Sequence, residues 1–210
     1  MAETDQDLAS RPSSGAGGGG PDADALEKSI RTLGRKRGPA PVHLWNPPFA
    51  GDIDMRIARD GTWFYDGSPI NRPALVQLFA SVMRRDGDAY FLVTPVEKVG
   101  ITVEDAPFVA VDFQVEDAGG PDQALTFRTN VEDEAPAGPD HPIRVVRDPE
   151  TGEPSPYVLV RAELEALIDR KSFYRLVEIC EHREVEGERW FGVRSRGEFF
   201  PVIPSSELPE

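Results

Sequence analysis

The chain has 210 residues, a net charge of −14 at pH 7 and 39% hydrophobic residues, a length that suits one large domain or two small ones. So acidic a chain repels phosphate backbones, which argues against nucleic-acid binding. It has one cysteine, no run of about 18 apolar residues and no apolar signal segment, which predicts a cytoplasmic protein without disulfides or a membrane span.

The N-terminal part predicts a disordered tail followed by a short helix. Residues 1–21 are rich in Gly, Ser, Pro and acid, a composition that cannot offset the entropy of ordering. Asp22 or Asp24 can cap the helix that follows. The apolar stripe of this helix is formed by Leu26, Ile30 and Leu33.

The first half of the chain predicts hairpins on both sides of a second helix. Alternating apolar residues indicate two strands within 51–70, joined by a turn at Asp60 and Gly61. A helix is predicted over 72–85, with Asn71 as its cap. Further strands are predicted over residues 90–93, 99–103, 108–115 and 125–130.

Residues 104–140 form a loop-rich acidic extension. This segment contains ten acidic side chains against Arg128 alone, and so carries −9 of the net charge of −14. One hypothesis is that this surface meets a basic protein partner.

The second half repeats the order of the first. Arg72 follows the pair Arg59-Asp60 by 13 residues, and Arg161 follows Arg147-Asp148 by 14. Each arginine precedes apolar residues at helical spacing, so a helix is predicted to begin at Arg161 as well. Its apolar residues are Leu164, Leu167 and Ile168. A further helix capped by Ser172 and a closing hairpin over 189–203 complete this half.

These elements predict an α+β fold of two repeated ββαββ-like motifs, each a hairpin, a helix and a hairpin, packed together with antiparallel sheets. The expected organisation is a tail over 1–21, a first repeat with the N-terminal helix and acidic extension over 22–140, and a second repeat over 141–210.

Sequence signatures of common enzymes are absent. The chain has no glycine loop for phosphate, no Gly-x-Ser-x-Gly turn and no paired histidines on a helix. Its histidines, His43, His141 and His182, are far apart in sequence. We therefore predict no bound metal and no cofactor.

Two segments carry candidate ligand-binding residues. Trp45 and Asn46 precede Asp52 in a Pro- and Gly-rich segment, where functional side chains are often displayed. Glu97 and Lys98 follow a proline at a bend between strands, and each needs a partner elsewhere. A core plug at Trp45 and structural ion pairs at the charged residues are the alternatives.

Arg72 and Arg161 are predicted to open helices, where a positive charge opposes the helix dipole. A bound anion or an internal carboxylate would stabilise either arginine. We favour internal ion pairs with Asp52, Asp54 or Glu97, and we retain Arg72 as a supporting ligand-binding candidate.

An ordered series of short motifs between Trp45 and Pro204 resembles an uncharacterised bacterial family, domain of unknown function 1285. The motifs are Trp45-Asn46-Pro47-Pro48, Gly51-Asp52-Ile53-Asp54, Asp60-Gly61-Thr62-Trp63, Pro69-Ile70-Asn71-Arg72, Thr94-Pro95-Val96-Glu97-Lys98 and Glu104-Asp105-Ala106-Pro107-Phe108. The resemblance implies an α+β fold with repeated motifs and a role in ligand sensing or signalling, and it implies no catalytic residues.

The leading functional hypothesis is a non-enzymatic module that binds a small ligand or a protein partner, with a role in signalling. The alternative is a hydrolase that uses the carboxylates of Asp52, Asp54 and Glu97, with or without a divalent cation. This alternative is based on the chemistry of paired carboxylates. Different environments can separate their pKa values, so that one acts as an acid and the other as a base.

Overall fold

Three β-sheets and three α-helices form the part of the chain that the structure describes. The computed structural model describes residues 22–33 and 38–208. Most neighbouring strands are antiparallel, so the predicted α+β class with antiparallel sheets is confirmed. The predicted disordered tail, residues 1–21, lies outside the described residues.

The helices are short, and each buries one side. They are α1 (Ala23–Thr32), α2 (Pro73–Ala80) and α3 (Arg170–Glu178). As predicted, α1 begins after Asp22, whose side chain accepts a hydrogen bond from the N–H of Asp24, and it buries Leu26 and Ile30. Within residues 22–33 and 38–208, none of the helices is long and apolar enough to cross a membrane.

The first sheet is built from the strands that flank α2. Its strands are β1 (Phe49–Ile57), β2 (Trp63–Tyr65), β3 (Ser68–Pro69), β4 (Met83–Asp86), β5 (Ala89–Val93) and β6 (Lys98–Val103). Their order across the sheet is β3-β2-β1-β6-β5-β4. The first and last strands, β1 and β6, are parallel neighbours, and all other pairs are antiparallel.

The second sheet has the same number of strands. They are β7 (Phe108–Glu116), β8 (Ala124–Thr129), β9 (Glu134–Pro136), β10 (Ile143–Arg147), β11 (Pro154–Arg161) and β12 (Leu164–Ile168). Their order is β10-β11-β12-β7-β8-β9, with β7 and β12 parallel and the other pairs antiparallel.

The two six-stranded sheets share one topology. If β7 to β12 are matched in order to β1 to β6, every neighbour and every strand direction agrees. This repeat is one of strand order within the sheets. The repeat predicted from the Arg-Asp spacing was instead an order of hairpin, helix and hairpin along the chain. The predicted order of hairpin, helix and hairpin also occurs twice, around α2 and around α3.

A third, three-stranded sheet closes the chain. It consists of β13 (Glu181–Val185), β14 (Glu188–Ser195) and β15 (Glu198–Pro204), all antiparallel. The predicted closing hairpin is therefore confirmed. Ser195, which is fully buried, accepts a hydrogen bond from the N–H of Leu125 at 2.9 Å and donates one to the carbonyl of Ala137 at 2.7 Å. These bonds attach the third sheet to the second.

The prediction of a helix that begins at Arg161 is wrong. Arg161 ends strand β11, and the residues that follow form a turn and then strand β12. Ala162 and Glu163 both have positive φ and form a tight turn directly after β11. Beyond the turn Leu164, Ala166 and Ile168 are buried, an alternation typical of a strand. The helical spacing of the leucines and isoleucine was therefore coincidental.

The other two helices differ from prediction at their ends. α2 ends at Ala80 rather than near residue 85, because Met83 already pairs with Leu92 in the first sheet. The residue that precedes α2 is Arg72, not Asn71, and its side chain makes no capping bond. α3 is capped by Asp169, which accepts from the N–H of Ser172 at 2.7 Å, so the predicted Ser172 cap is also wrong.

Residue 140, the predicted boundary between the two repeats, lies between β9 and β10. The strands on both sides of it belong to the second sheet. How the chain divides into independent folding units is a different property, and the division at 140 stays a prediction.

Cys180 is a packed residue at the end of α3. Its thiol donates to the carbonyl of Leu176 at 3.3 Å. Burial, with a smaller effect from the charge of Glu181, raises the pKa of the Cys180 thiol to about 12. A thiol with so high a pKa is a poor nucleophile at neutral pH, and Cys180 is a partly buried side chain packed against the core.

Asn130 joins the two six-stranded sheets at a point of close approach. Its amide nitrogen donates to the carbonyl of Gly61 at 3.2 Å, and its side-chain oxygen accepts from the N–H of Val109 at 3.0 Å. Gly61 has a φ of +83°, and a Cβ there would lie 2.6 Å from the Asn130 amide nitrogen. The contact therefore requires glycine for both its backbone conformation and its lack of a side chain.

We expect Gly61→Ala to destabilise the protein more than Gly67→Ala. Gly67 also has positive φ, but nothing lies within 4 Å of its added Cβ. Gly67→Ala should cost about 1 kcal/mol for the left-handed backbone, and Gly61→Ala about 2 to 4 kcal/mol because overpacking adds about 1 to 3 kcal/mol. Urea unfolding of both variants measures the difference, and equal losses would contradict the close contact between the sheets.

Candidate functional site

A cavity of about 820 Å³ lies between the N-terminal helix, α2 and the second sheet. Within the described part of the chain, its apolar lining includes Ile30, Leu33, Trp45, Leu78, Val82 and Val131. The volume falls within the range of about 300 to 1,000 Å³ that is usual for small-molecule sites, and such sites are mostly apolar. The cavity is therefore a candidate site for a small molecule.

The loop before β1 is fixed against the end of α2, and this contact shapes one wall. The N–H of Ala40 donates to the carbonyl of Ser81 at 2.8 Å. The guanidinium of Arg84 donates to the carbonyls of Val42 at 3.2 Å and Trp45 at 2.8 Å. These bonds hold the half-buried Trp45 at the cavity, so the predicted candidate Trp45 lies in its lining.

Arg161 is a largely shielded charged residue in the lining of the cavity. Its guanidinium forms an ion pair with Asp133 and donates to the carbonyl of Ala80, at the end of α2, at 2.7 Å. The carbon of the guanidinium lies 4.9 Å from the centroid of the buried Phe108 ring. Because the side chains of Arg161 and Asp133 are only 17% and 26% exposed, the pair is shielded from most of the solvent.

Local structure explains why these two side chains meet. Arg161 is the last residue of β11, immediately before the tight turn into β12. Asp133 lies in a turn after β8, where its N–H donates to the hydroxyl of Thr129 at 3.0 Å and its carbonyl accepts from the Thr129 N–H at 2.9 Å. Each side chain is therefore held by a turn that its own backbone forms.

The other charged lining residues also have partners within the chain. Arg31 pairs with Glu27 at 2.7 Å, and Glu132 pairs with Arg128 at 3.3 Å. Counted over the residues that the structure describes, the lining holds two arginines and two carboxylates, whose formal charges balance.

Each of the two arginines that were predicted to open helices has a carboxylate partner within the chain. Arg161 pairs with Asp133, and the exposed Arg72 lies 3.5 Å from Glu27. Both partners differ from the carboxylates predicted from the sequence, Asp52, Asp54 and Glu97. Arg161 opens no helix, so the dipole argument does not apply to it.

The predicted candidate residues are not brought together. Trp45 lines the large cavity, whereas Arg72 lines a second one of about 230 Å³ on the other side of α2. Asn46 is exposed. Asp52 is exposed on β1 opposite Gly100, where an added Cβ would lie 1.9 Å from its Oδ1. Their role in ligand binding stays a prediction.

Glu97 and Lys98 belong to the end of the first sheet. The carbonyl of Glu97 accepts from the N–H of Thr94 at 2.9 Å, which closes the turn before β6. The ammonium of Lys98 lies 3.2 Å from a carboxylate oxygen of Asp86 and 4.4 Å from the centroid of the Phe91 ring. Arg84 also pairs with Asp86, at 2.8 Å. Lys98 therefore has a structural explanation.

Sequence reasoning missed the importance of Asp133 and Ala80. Arg161 lies 28 residues from Asp133 and 81 from Ala80. Contacts over such distances leave no local pattern. The acidic composition of residues 104–140 was a weak signal that this segment contains partners for arginines. Five of its ten acidic side chains pair with arginines of this chain.

Among residues 22–33 and 38–208, no group of three or more His, Cys, Asp or Glu side chains is arranged to hold a metal ion.

Two family models match consecutive parts of the chain. Residues 40–106 match the N-terminal domain of unknown function DUF1285, and residues 107–202 match the C-terminal domain of the DUF1285 protein of unknown function. The border between the models falls in the linker that joins β6 of the first sheet to β7 of the second.

The chain is also similar to solved structures of DUF1285 family proteins. A DUF1285 family protein from Silicibacter pomeroyi is 62% identical, with a TM-score of 0.78 over 87% of this chain and 96% of that one. A DUF1285 family protein from Shewanella baltica is 29% identical, with a TM-score of 0.47 over 60% of this chain and 91% of that one. The comparison with curated proteins found no match.

We expect Asp86→Asn to destabilise the protein at pH 7 and to have little effect in acid. The hydrogen bond from Arg84, followed by that from Lys98, holds the pKa of the Asp86 carboxyl below its ordinary value of 3.8. The ionised carboxyl therefore stabilises the folded state above the unfolded-state pKa, and this stabilisation is lost as the pH falls through the lower folded-state pKa.

Urea unfolding of the wild type and the variant at pH 7 and at a series of lower pH values measures this dependence. Asp88→Asn is the control, because Asp88 is fully exposed at 3.7 Å from Arg85 and should change stability little at any pH. A loss that is the same at every pH would show that the charge of Asp86 is not its cause.

Proposed function

The chain belongs to the uncharacterised DUF1285 family, and from the geometry of its cavity we propose that it is a non-enzymatic module that binds a small, largely apolar molecule. The observation that carries the proposal is the cavity of about 820 Å³. Its lining combines apolar side chains from three parts of the fold with one shielded guanidinium, at Arg161. Sites for small molecules have this composition, in which apolar walls supply affinity and few polar groups orient the ligand.

A small molecule is favoured over a basic protein partner. The acidic extension that suggested such a partner uses half of its ten acidic side chains in ion pairs within the chain. Those carboxylates are already partly neutralised, which weakens the attraction that a basic surface would feel. The cavity, by contrast, is a concave space with a mostly apolar lining.

The hydrolase alternative draws less support from the geometry. It requires the carboxylates of Asp52, Asp54 and Glu97 to converge on one reacting centre. The Asp52 carboxylate lies against Gly100, while Glu97 lies in the turn before β6, and none of the three carboxylates lines the cavity.

We further propose that ligand binding is coupled to the contact between the two halves, which would give the protein a role in signalling. A molecule in the cavity touches α1 and α2 on one side and the 131–133 turn of the second sheet on the other. Arg161 of the second sheet already bonds the carbonyl of Ala80 at the end of α2. Occupancy would therefore strengthen or weaken a connection that holds both halves.

A substitution that fills part of the cavity should weaken binding of a neutral apolar dye. Nile red should bind the wild type saturably, with increased fluorescence. Ala74→Phe places a ring into the cavity lining and should weaken binding at least about tenfold, which is a loss of about 1.4 kcal/mol. Fluorescence titration measures both affinities.

Ala25→Phe is the matched control, since Ala25 is an exposed helical alanine outside the lining of the cavity. It should bind Nile red as the wild type does. Circular dichroism establishes that both variants are folded. The proposal is wrong if the wild type shows no saturable binding or if folded Ala74→Phe binds as tightly as the wild type.

Hydrogen exchange tests the coupling separately. With saturating Nile red, we expect slower amide exchange both at the end of α2, residues 80–82, and in the 129–133 turn, with no change in β13. Slower exchange confined to the first half would leave ligand binding intact but contradict the proposed link to signalling.

A further inference from the structure

We infer that the cavity selects an uncharged ligand that places a hydrogen-bond acceptor, such as the carbonyl of an ester, ketone or amide, against Arg161. This inference rests on the proposed function, because it names the chemical class of the molecule bound there. Three properties of the lining lead to it: its charge balance, its unused donors and its apolar walls.

The charge balance disfavours an ionic ligand. Among the described lining residues, Arg161 pairs with Asp133, Arg31 with Glu27, and Glu132 with Arg128. Glu27 also lies 3.5 Å from Arg72. A carboxylate or ammonium group that enters the cavity loses its hydration and meets no unpaired opposite charge among the described lining residues. An uncharged polar group avoids most of this desolvation cost.

The unused donors favour an acceptor. A guanidinium carries several N–H groups in a planar fork and accepts no hydrogen bond. Within the described residues, Arg161 uses one terminal nitrogen for Asp133 and the other for the carbonyl of Ala80. Its remaining N–H groups have no acceptor there, and the ring of Phe108 supports the guanidinium. A carbonyl oxygen at the edge of the fork would accept from them without breaking the ion pair.

The apolar walls require a hydrophobic body on the same molecule. Trp45, Leu78 and Val131 lie among the lining residues, and Arg161 is placed among them rather than on an open surface. A ligand with an alkyl or aromatic body and one carbonyl group would therefore satisfy both parts of the cavity.

Three probes with a common eight-carbon chain test the inference: methyl octanoate, octanoate and octylammonium. Each displaces bound Nile red from the full-length protein at pH 7.5, where the second is an anion and the third a cation. We expect the ester to bind the wild type at least about tenfold more tightly than either ion, a difference of about 1.4 kcal/mol.

Asp133→Asn should shift this preference toward octanoate. The amide keeps an oxygen that can accept from Arg161 but leaves the guanidinium charge uncompensated, so octanoate should gain affinity relative to the ester. A merely structural effect of the substitution would change both affinities in the same direction and leave their ratio constant. The ratio remains measurable even if the variant is less stable.

The outcomes separate this inference from the proposed function. Tighter binding of the ester by the wild type, with the preference for the ester over octanoate reduced in Asp133→Asn, supports the inference. Equal or tighter binding of an ion by the wild type, an unchanged ratio in the variant, or failure of all three probes to displace bound Nile red overturns it. Absence of Nile red binding itself would instead overturn the proposed function.

Discussion

The parallel pairing of the first and last strands is the constraint on which each six-stranded sheet depends. β1 pairs with β6, and β7 pairs with β12, so the strands between them must extend outward on both sides of this central pair. Parallel neighbours need a long connection, and here the connection is the rest of the sheet. The first and last strands of each sheet lie at the centre of that sheet. A short linker can therefore join β6, the last strand of the first sheet, to β7, the first strand of the second. That linker places Asp105 where its carboxylate pairs with Arg59 at 3.2 Å and accepts from the hydroxyl of Tyr157 at 2.7 Å.

Alternation along the strands could be predicted from the sequence because most of them have one buried face. It located β1, β2, the strands from β5 to β8 and those of the closing hairpin. It missed the short strand β3 and placed β4 inside a predicted helix, and it failed at Arg161. Leu164, Leu167 and Ile168 fit a helix, while Leu164, Ala166 and Ile168 fit a strand. The strand forms because this segment pairs with β7 and because a tight turn precedes it. That turn uses two non-glycine residues with positive φ, Ala162 and Glu163, which carry no recognisable turn signal.

The candidate site was harder to predict than the fold because its polar residues are joined by tertiary contacts. Trp45 was identified from its aromatic character in a Pro- and Gly-rich segment, and it lines the cavity. Lys98 looked unpaired in sequence, but the fold brings it to Asp86. Arg161 attracted attention for a helix that does not exist, whereas its actual partners come from the turn after β8 and from the end of α2. A charged residue that has no partner nearby in the sequence therefore indicates a tertiary contact or a ligand contact. The sequence alone does not distinguish these two.

The cavity arises where the two sheets differ. In the first sheet, the connection from β3 to β4 contains α2, which supplies Leu78 and the carbonyl of Ala80 to the cavity. The matching connection in the second sheet, residues 137–142, instead closes on itself through a bridge between Gly138 and His141. The two sheets also differ at the last residue of the equivalent strands β5 and β11. This residue is the apolar Val93 in β5 and the charged Arg161 in β11. A repeated topology can build two equivalent surfaces, but a helix from one copy and an arginine from the other must meet to form this site. The repeat therefore supplies the scaffold, and the departures from it place the polar group among apolar walls.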